Sequence, residues 1–377
     1  MLDIDALITD FIARGCSDIY LTVGAPPCFR GEGGIEHVGS DPLTDEDIRH
    51  AIASLVSEQG AAAFSTALEY DTGIDWKGIA RLRINIFRQR QHSGMVVRRI
   101  RKDIPDLKFL GLSDVHSGLI MEKRGLVLVA GATGSGKSTT LASMINYRNN
   151  HGHGHILTIE DPVEFIHEHR GCIFTQRDIG IDTLSYATGL KSALRQMPDV
   201  IVIGEIRDMD TMEQAMMFAE TGHLCLATLH ASNATQAIER VVNLFPEAKQ
   251  QQVLLSLSSN LKAILSQRLV RNLRGHKSLA TEILLNQGLI RDLIAEGRIK
   301  QLKEIIEKNK SLGMQTFEQS LLDLFAAGVI SEEAAMAEAD SPANLRIAMR
   351  NLTGLRKSNE FTELQQQKNE AEKKNKF

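Results

Sequence analysis

The run Gly131-Ala132-Thr133-Gly134-Ser135-Gly136-Lys137-Ser138-Thr139 matches the pattern G-x-x-x-x-G-K-[ST]. That pattern serves the handling of a nucleoside triphosphate. Glycines at 131, 134 and 136 let the main chain curl until its N–H groups face phosphate oxygens. The helix that must follow adds the positive end of its dipole. Lys137 then reaches the β- and γ-phosphates of ATP, and Ser138 offers its hydroxyl to Mg²⁺. A glycine-rich turn could match by chance, but the flanks argue for the site. The apolar run "GLVLVAG" (125–131) enters the loop, and the helical pattern "STTLASMINYR" (138–148) leaves it.

Two further segments supply carboxylates. "ILTIEDPVEF" (156–165) reads as a strand ending at Glu160-Asp161, stopped by Pro162. "DVIVIGEIRD" (199–208) reads as a buried strand ending at Gly204-Glu205, where a nucleotide hydrolase more often places an aspartate. A parallel sheet brings such strand ends to the P-loop edge. One glutamate can then polarise the attacking water while the other holds Mg²⁺ through its water shell. Glu160, on the strand that follows the P-loop helix, is the expected base, and Glu205 the expected magnesium-side carboxylate. Either could instead be a solvated turn residue. "TGHLCLATLHASN" (221–233) adds His223 at the start of a strand and His230 at its end. A histidine beside the P-loop can sense the γ-phosphate. A loop histidine with only a capping role is the alternative for each.

The elements that must position these groups follow from pattern. With 377 residues the chain has length for about two domains, and a formal net charge of −4 offers no global basic field for nucleic acid. Its apolar runs are too short to cross a bilayer, and "MLDIDALITD" has no basic region before an apolar core. Cys16, Cys28, Cys172 and Cys225 are scattered, with no CxxC pair, which argues against a zinc site. Residues 3–14 and "PLTDEDIRHAIASLVSEQ" (42–59) read as helices, the second with Thr44 and Asp47 at capping-box spacing. "IARLRINIFRQRQHSGMVVRRI" (79–100) alternates arginine with apolar residues and predicts a β-hairpin turning at Ser93-Gly94, one face basic. This gives a small α/β domain over 1–101 and a charged, proline-containing linker over 102–117. A strand–helix alternation of parallel-sheet type follows. Beyond 246 the pattern predicts helices, and 356–377 a charged tail expected to fray.

In combination, the P-loop, "TIEDPVEF", "LRQMPDVIVIGEIRD" and "AETGHLCLATLHASNA" resemble the ATPase superfamily of type II secretion and type IV pili. There they form the Walker A, Asp box, atypical Walker B and His box, and a Gly-Glu ending is normal. The resemblance implies a PAS-like N-terminal domain and a RecA-like ATPase domain with C-terminal helices over 118–355. It also implies a homo-hexamer at the cytoplasmic face of the inner membrane, docked on a pilus platform protein, with no nucleic-acid partner. Arg83 and Arg98 fall on positions resembling the family's arginine fingers. The tetracysteine insert usual in secretion and extension ATPases is absent, as is their longer N-terminal region. "LIRDLIAEGRIKQL" (289–302) and "GMQTFEQSLLDLFAAGVIS" (313–331) resemble the pilus retraction branch. Ala295, where that branch carries a second arginine, and the charged tail point to an auxiliary motor working with a paralogous retraction ATPase. The alternatives are the principal motor itself and an accessory ring with little hydrolysis.

Overall fold

A computed structural model describes residues 2–31, 33–100 and 103–352, so the tail read at 356–377 lies outside the described residues. The chain divides into two compact units, residues 1–104 with 164–166, and residues 105–163 with 167–377.

The first unit runs α1 (Ile4–Ala13), β1 (Asp18–Thr22), β2 (Cys28–Gly31), β3 (Gly34–His37), α2 (Asp45–Leu55), α3 (Glu58–Ala67), β4 (Glu69–Trp76), β5 (Ala80–Gln89) and β6 (His92–Ile100). Asp3 caps α1, and Ile4, Leu7, Ile8 and Phe11 fall on its buried stripe. At α2 the Thr44–Asp47 capping box closes in both directions, an arrangement worth about 1 kcal/mol. The strands form one antiparallel sheet in the order β3-β2-β1-β6-β5-β4. On β5 the expected alternation holds: Leu82, Ile84 and Ile86 are fully buried, while Arg81 and Arg83 share the other face. The turn expected at Ser93-Gly94 lies instead at Arg90-Gln91, both left-handed, with φ 47° and 69°. Such two-residue turns match strand twist and usually recruit asparagine or glycine, which is why this one is not legible. Gly94 lies opposite Phe87 within the ladder. A Cβ there would stand 2.8 Å from the Phe87 ring, so this glycine makes room for an aromatic neighbour rather than a turn.

The second unit begins with α4 (Asp114–Ile120), β7 (Gly125–Gly131), α5 (Lys137–His151), β8 (Gly154–Glu160), β9 (Cys172–Asp178), α6 (Tyr186–Ala193), β10 (Val200–Ile203), α7 (Met209–Glu220) and β11 (Leu224–Leu229). It continues with α8 (Ala234–Asn243), α9 (Glu247–Asn260), β12 (Leu261–Arg271), β13 (Lys277–Leu285), α10 (Leu289–Ala295), α11 (Leu302–Lys308), α12 (Phe317–Ala326) and α13 (Glu332–Glu338). Leu107 and Leu112, from the stretch read as a linker, are buried in the core of this unit.

Its seven-stranded sheet has the order β13-β12-β7-β11-β10-β8-β9. All neighbours are parallel except the terminal β12–β13 hairpin. That hairpin corrects the expectation of an all-helical chain beyond 246. Ala263, Ile264, Leu265 and Val270 are buried on both sides of β12, and such a run carries no period-two signal to separate it from a helix. β9, too, went unread. The expected strands β7, β8, β10 and β11 are present, and their carboxyl ends share one edge.

Candidate nucleotide site

β7 is buried along its whole length and delivers the chain to the loop at a fixed height. A Cβ on Gly131 would lie 2.3 Å from Ser135 Oγ and 2.8 Å from the Gln267 carbonyl oxygen, so no larger residue fits. Gly134 and Gly136 take the left-handed φ values 75° and 91° that close the curl. Lys137 Nζ donates to the carbonyls of Gly131 and Ala132, each at 2.9 Å, which folds the ammonium back over the loop. Ala132, Thr133 and Gly134 form the exposed crest, while Ser138 and Thr139 are half-buried in the first turn of α5. Ser135 Oγ is buried with no hydrogen-bond partner. An unsatisfied hydroxyl inside a loop with an ammonium and a helix N-terminus fits a phosphate group. From β12, Gln267 Nε2 donates to Thr140 Oγ1 at 2.6 Å and ties α5 to the strand beside β7.

The Gly-Glu ending of β10 has a steric cause. A Cβ on Gly204 would stand 2.8 Å from the Tyr186 hydroxyl and 3.0 Å from Glu160 Cα. The Gly204 amide donates to the Ile159 carbonyl at 2.8 Å. The two glutamates therefore leave neighbouring strand ends. Glu205 is held tightly: its Oε1 lies 2.9 Å from His230 Nε2, and its Oε2 lies 2.7 Å from the Arg207 guanidinium. Arg207 also reaches Asp161 at 3.4 Å, and its hydrogen bond to Glu205 raises its already high pKa. Thr228 Oγ1 donates to the Gly204 carbonyl and secures the same corner. Burial, helped by the charges of Asp161 and Glu160, pushes the Tyr186 phenol up, so it stays protonated between the carboxylates.

Lys137, Ser138, Glu160, Glu205 and His230 thus share one sheet edge. His223 does not. Its carbonyl accepts from Gly125 N at the opposite edge, and its ring contacts Thr221 Oγ1 at 3.1 Å. It closes the turn before β11, at the edge away from the P-loop. In the first unit, Arg83 and Arg98 are directly cross-strand partners on β5 and β6. Arg98 pairs with the buried Asp18 at 2.7 Å, and Arg83 lies 3.7 Å from Asp71. Facing like charges on a sheet are destabilising, and the two carboxylates offset part of that. Sequence reasoning missed Arg207, Tyr186 and the Thr140–Gln267 pair. Only Arg207 left a trace, as a cation two residues beyond a strand-end glutamate.

Comparison with known proteins gives the chain its relatives. The family profile of the type II/IV secretion system protein matches residues 77–319. The type IV pilus ATPase PilU of Pseudomonas aeruginosa is 46% identical over 93% of this chain and 92% of its own. The retraction ATPase PilT of the same organism is 40% identical over 91% of this chain and 100% of its own. A crystal structure of the pilus retraction motor PilT with bound ADP superposes with a TM-score of 0.86, at 41% identity, covering 92% of this chain and 99% of that one. With its nucleotide loop, its Gly-Glu strand end and these relatives, the chain belongs to the type II/IV secretion ATPase superfamily, as an ATPase of the pilus retraction branch.

Proposed function

We propose that this chain is an Mg²⁺-dependent ATPase motor for type IV pilus retraction and twitching motility, acting beside a principal retraction ATPase. The observation that carries the reading is the shared sheet edge, with Lys137 folded over the loop and Glu205 clamped between His230 and Arg207. Ser138 and Glu205 would hold the metal, which when bound neutralises charge on the β- and γ-phosphate oxygens. Lys137 trades its two loop carbonyls for phosphate oxygens. Glu205 stands two strands from β7 and Glu160 three, about 10 and 14 Å across the sheet. The nearer carboxylate suits the metal side. The farther one suits the far face of the γ-phosphate, where Glu160 takes a proton from the attacking water.

A hexameric ring is the working assembly in this reading, with Arg83 and Arg98 acting on a neighbour's nucleotide. A guanidinium pair on one face is a donor array for phosphate oxygens. The auxiliary role draws on the closer identity to PilU than to PilT and on Ala295, half-buried at the end of α10, where its carbonyl accepts from Gln251. The platform protein at the inner membrane is the expected docking partner.

The test pairs biochemistry with genetics. Lys137→Ala should abolish Mg²⁺-dependent ATP hydrolysis in the purified chain. Deletion should leave surface pili in place and weaken twitching, most under load, and Lys137→Ala should not complement it. A bald deletion strain would overturn the retraction role. Full rescue of cells lacking the principal motor would make this chain a principal motor itself.

A further inference from the structure

Behind the His230 loop, the buried Glu282 and the largely covered Arg268, from two strands, converge on the start of α8. Glu282 of β13 is 2% exposed, and its Oε1 accepts from Ala234 N at 2.7 Å. Arg268 of β12 donates to the Ser232 carbonyl at 3.1 Å. The main chain from 232 to 234 is thus gripped on a donor and on an acceptor, immediately after His230. On its other side Arg268 pairs with Asp340, bonds the Glu338 carbonyl, and lies 3.9 Å from the centre of the Phe317 ring of α12. Lys303 of α11 bridges Glu318 at 3.1 Å and Asp340 at 3.3 Å. Glu318 in turn accepts from Ser341 N at 2.9 Å.

Helix capping does not account for this. Asn233 already caps α8 by accepting from Gln236 N. Burying a carboxyl group, charged or neutral, costs at least as much as one extra first-turn hydrogen bond returns. Nor is packing enough, because an apolar residue would fill the Glu282 site without that penalty. What Glu282 and Arg268 add is a fixed position for the loop they hold.

We propose that Arg268 and Glu282 are positioning residues for hydrolysis: they fix the loop that presents His230 to Glu205, and through Asp340, Lys303 and Glu318 they couple that presentation to the C-terminal helices. The inference rests on the reading of Glu205 and His230 as part of the hydrolytic site. If α12 and α13 shift and draw Asp340 away, Arg268 follows and releases the Ser232 carbonyl. His230 then loses its set distance to Glu205. A misplacement of about 1 Å lowers a rate by about a hundredfold.

The experiment is a double-mutant cycle on the full-length chain, with thermal melts and particle size confirming folded assemblies. Arg268→Gln should lower kcat by about tenfold to a hundredfold, with KM for ATP within about threefold of the parent. In a His230→Ala background the same change should lower kcat by less than about twofold, because the group it positions is gone. Arg268→Lys should recover part of the loss, and Asp340→Asn should fall between parent and Arg268→Gln. If Arg268→Gln does not fold, Asp340→Asn runs the same cycle. Effects that multiply across the cycle, or a change in KM alone, would overturn the coupling. Undiminished turnover in Glu205→Gln would instead overturn the reading of the site itself.

Discussion

At the scale of single residues, the two glutamates are told apart by their distance from the P-loop strand and by the grip on Glu205. Glu205 is only 15% exposed at its side chain and is bracketed by the Arg207 guanidinium and the His230 ring, so it is held in one orientation. A carboxylate held in this way is a good outer partner for a cation. Glu160 ends β8 against Gly204, three strands from β7, on the side suited to the attacking water. We expect Glu160→Gln to keep nucleotide affinity and lose turnover by about two orders of magnitude or more. Glu205→Gln should weaken the Mg²⁺ dependence first, seen as a higher metal concentration for half-maximal rate. Equilibrium nucleotide binding and single-turnover hydrolysis on both variants check the assignment. The reverse pattern swaps the two roles.

At the scale of elements, Glu282 makes β13 sensitive to pH. Burial, reinforced by Asp340 and Glu318 and opposed by Lys303 and the Ala234 hydrogen bond, lifts its pKa from 4.5 to about 7. The folded chain therefore holds this proton more tightly than the unfolded one. Its stabilising contribution is complete below about pH 4.5 and is lost as pH rises through about 7, a span of about 3 kcal/mol at most. Glu282→Gln keeps an acceptor for Ala234 and cannot ionise. Its stability advantage over the parent should grow from pH 5 to pH 8, read by denaturant unfolding at each pH, and a constant difference would remove Glu282 as the cause. The P-loop, the Glu160 and Glu205 strand ends and the basic hairpin were legible in the sequence, because each is specified by residues close together in the chain. The hub around Glu282 was not, since Arg268, Ala234, Lys303 and Asp340 meet only through the β12–β13 hairpin. That hairpin was itself hidden by burial on both faces. The Arg90-Gln91 turn was illegible for the opposite reason: its backbone is special and its residues are not.

At the scale of the whole molecule, the proposed ring makes a prediction about mixtures. A Lys137→Ala chain keeps its arginines and loses its nucleotide site, while an Arg83→Ala/Arg98→Ala chain does the converse. Mixed rings should regain hydrolysis that neither chain shows alone, measured as ATPase rate against mixing ratio. No recovery would place the arginines on their own chain's nucleotide or outside the chemistry. Removing Arg83 breaks a pair with Asp71 worth at most about 1 kcal/mol, but removing Arg98 strips the buried Asp18 of its nearest cation, so thermal melts accompany the double variant and Arg83→Ala alone is run beside it. The flanking of β7 carries one more consequence. Its residues 126–130 are fully buried and are laddered on both sides, to β11 and to β12. Their amides should exchange with deuterium only on global unfolding, while α13, a seven-residue helix with Ala335 as its one buried side chain, should exchange far earlier. The loop that would hold the nucleotide then hangs from one of the strands that open last. The yielding part lies one strand away, on β12, as a hard edge can be set in a handle that gives.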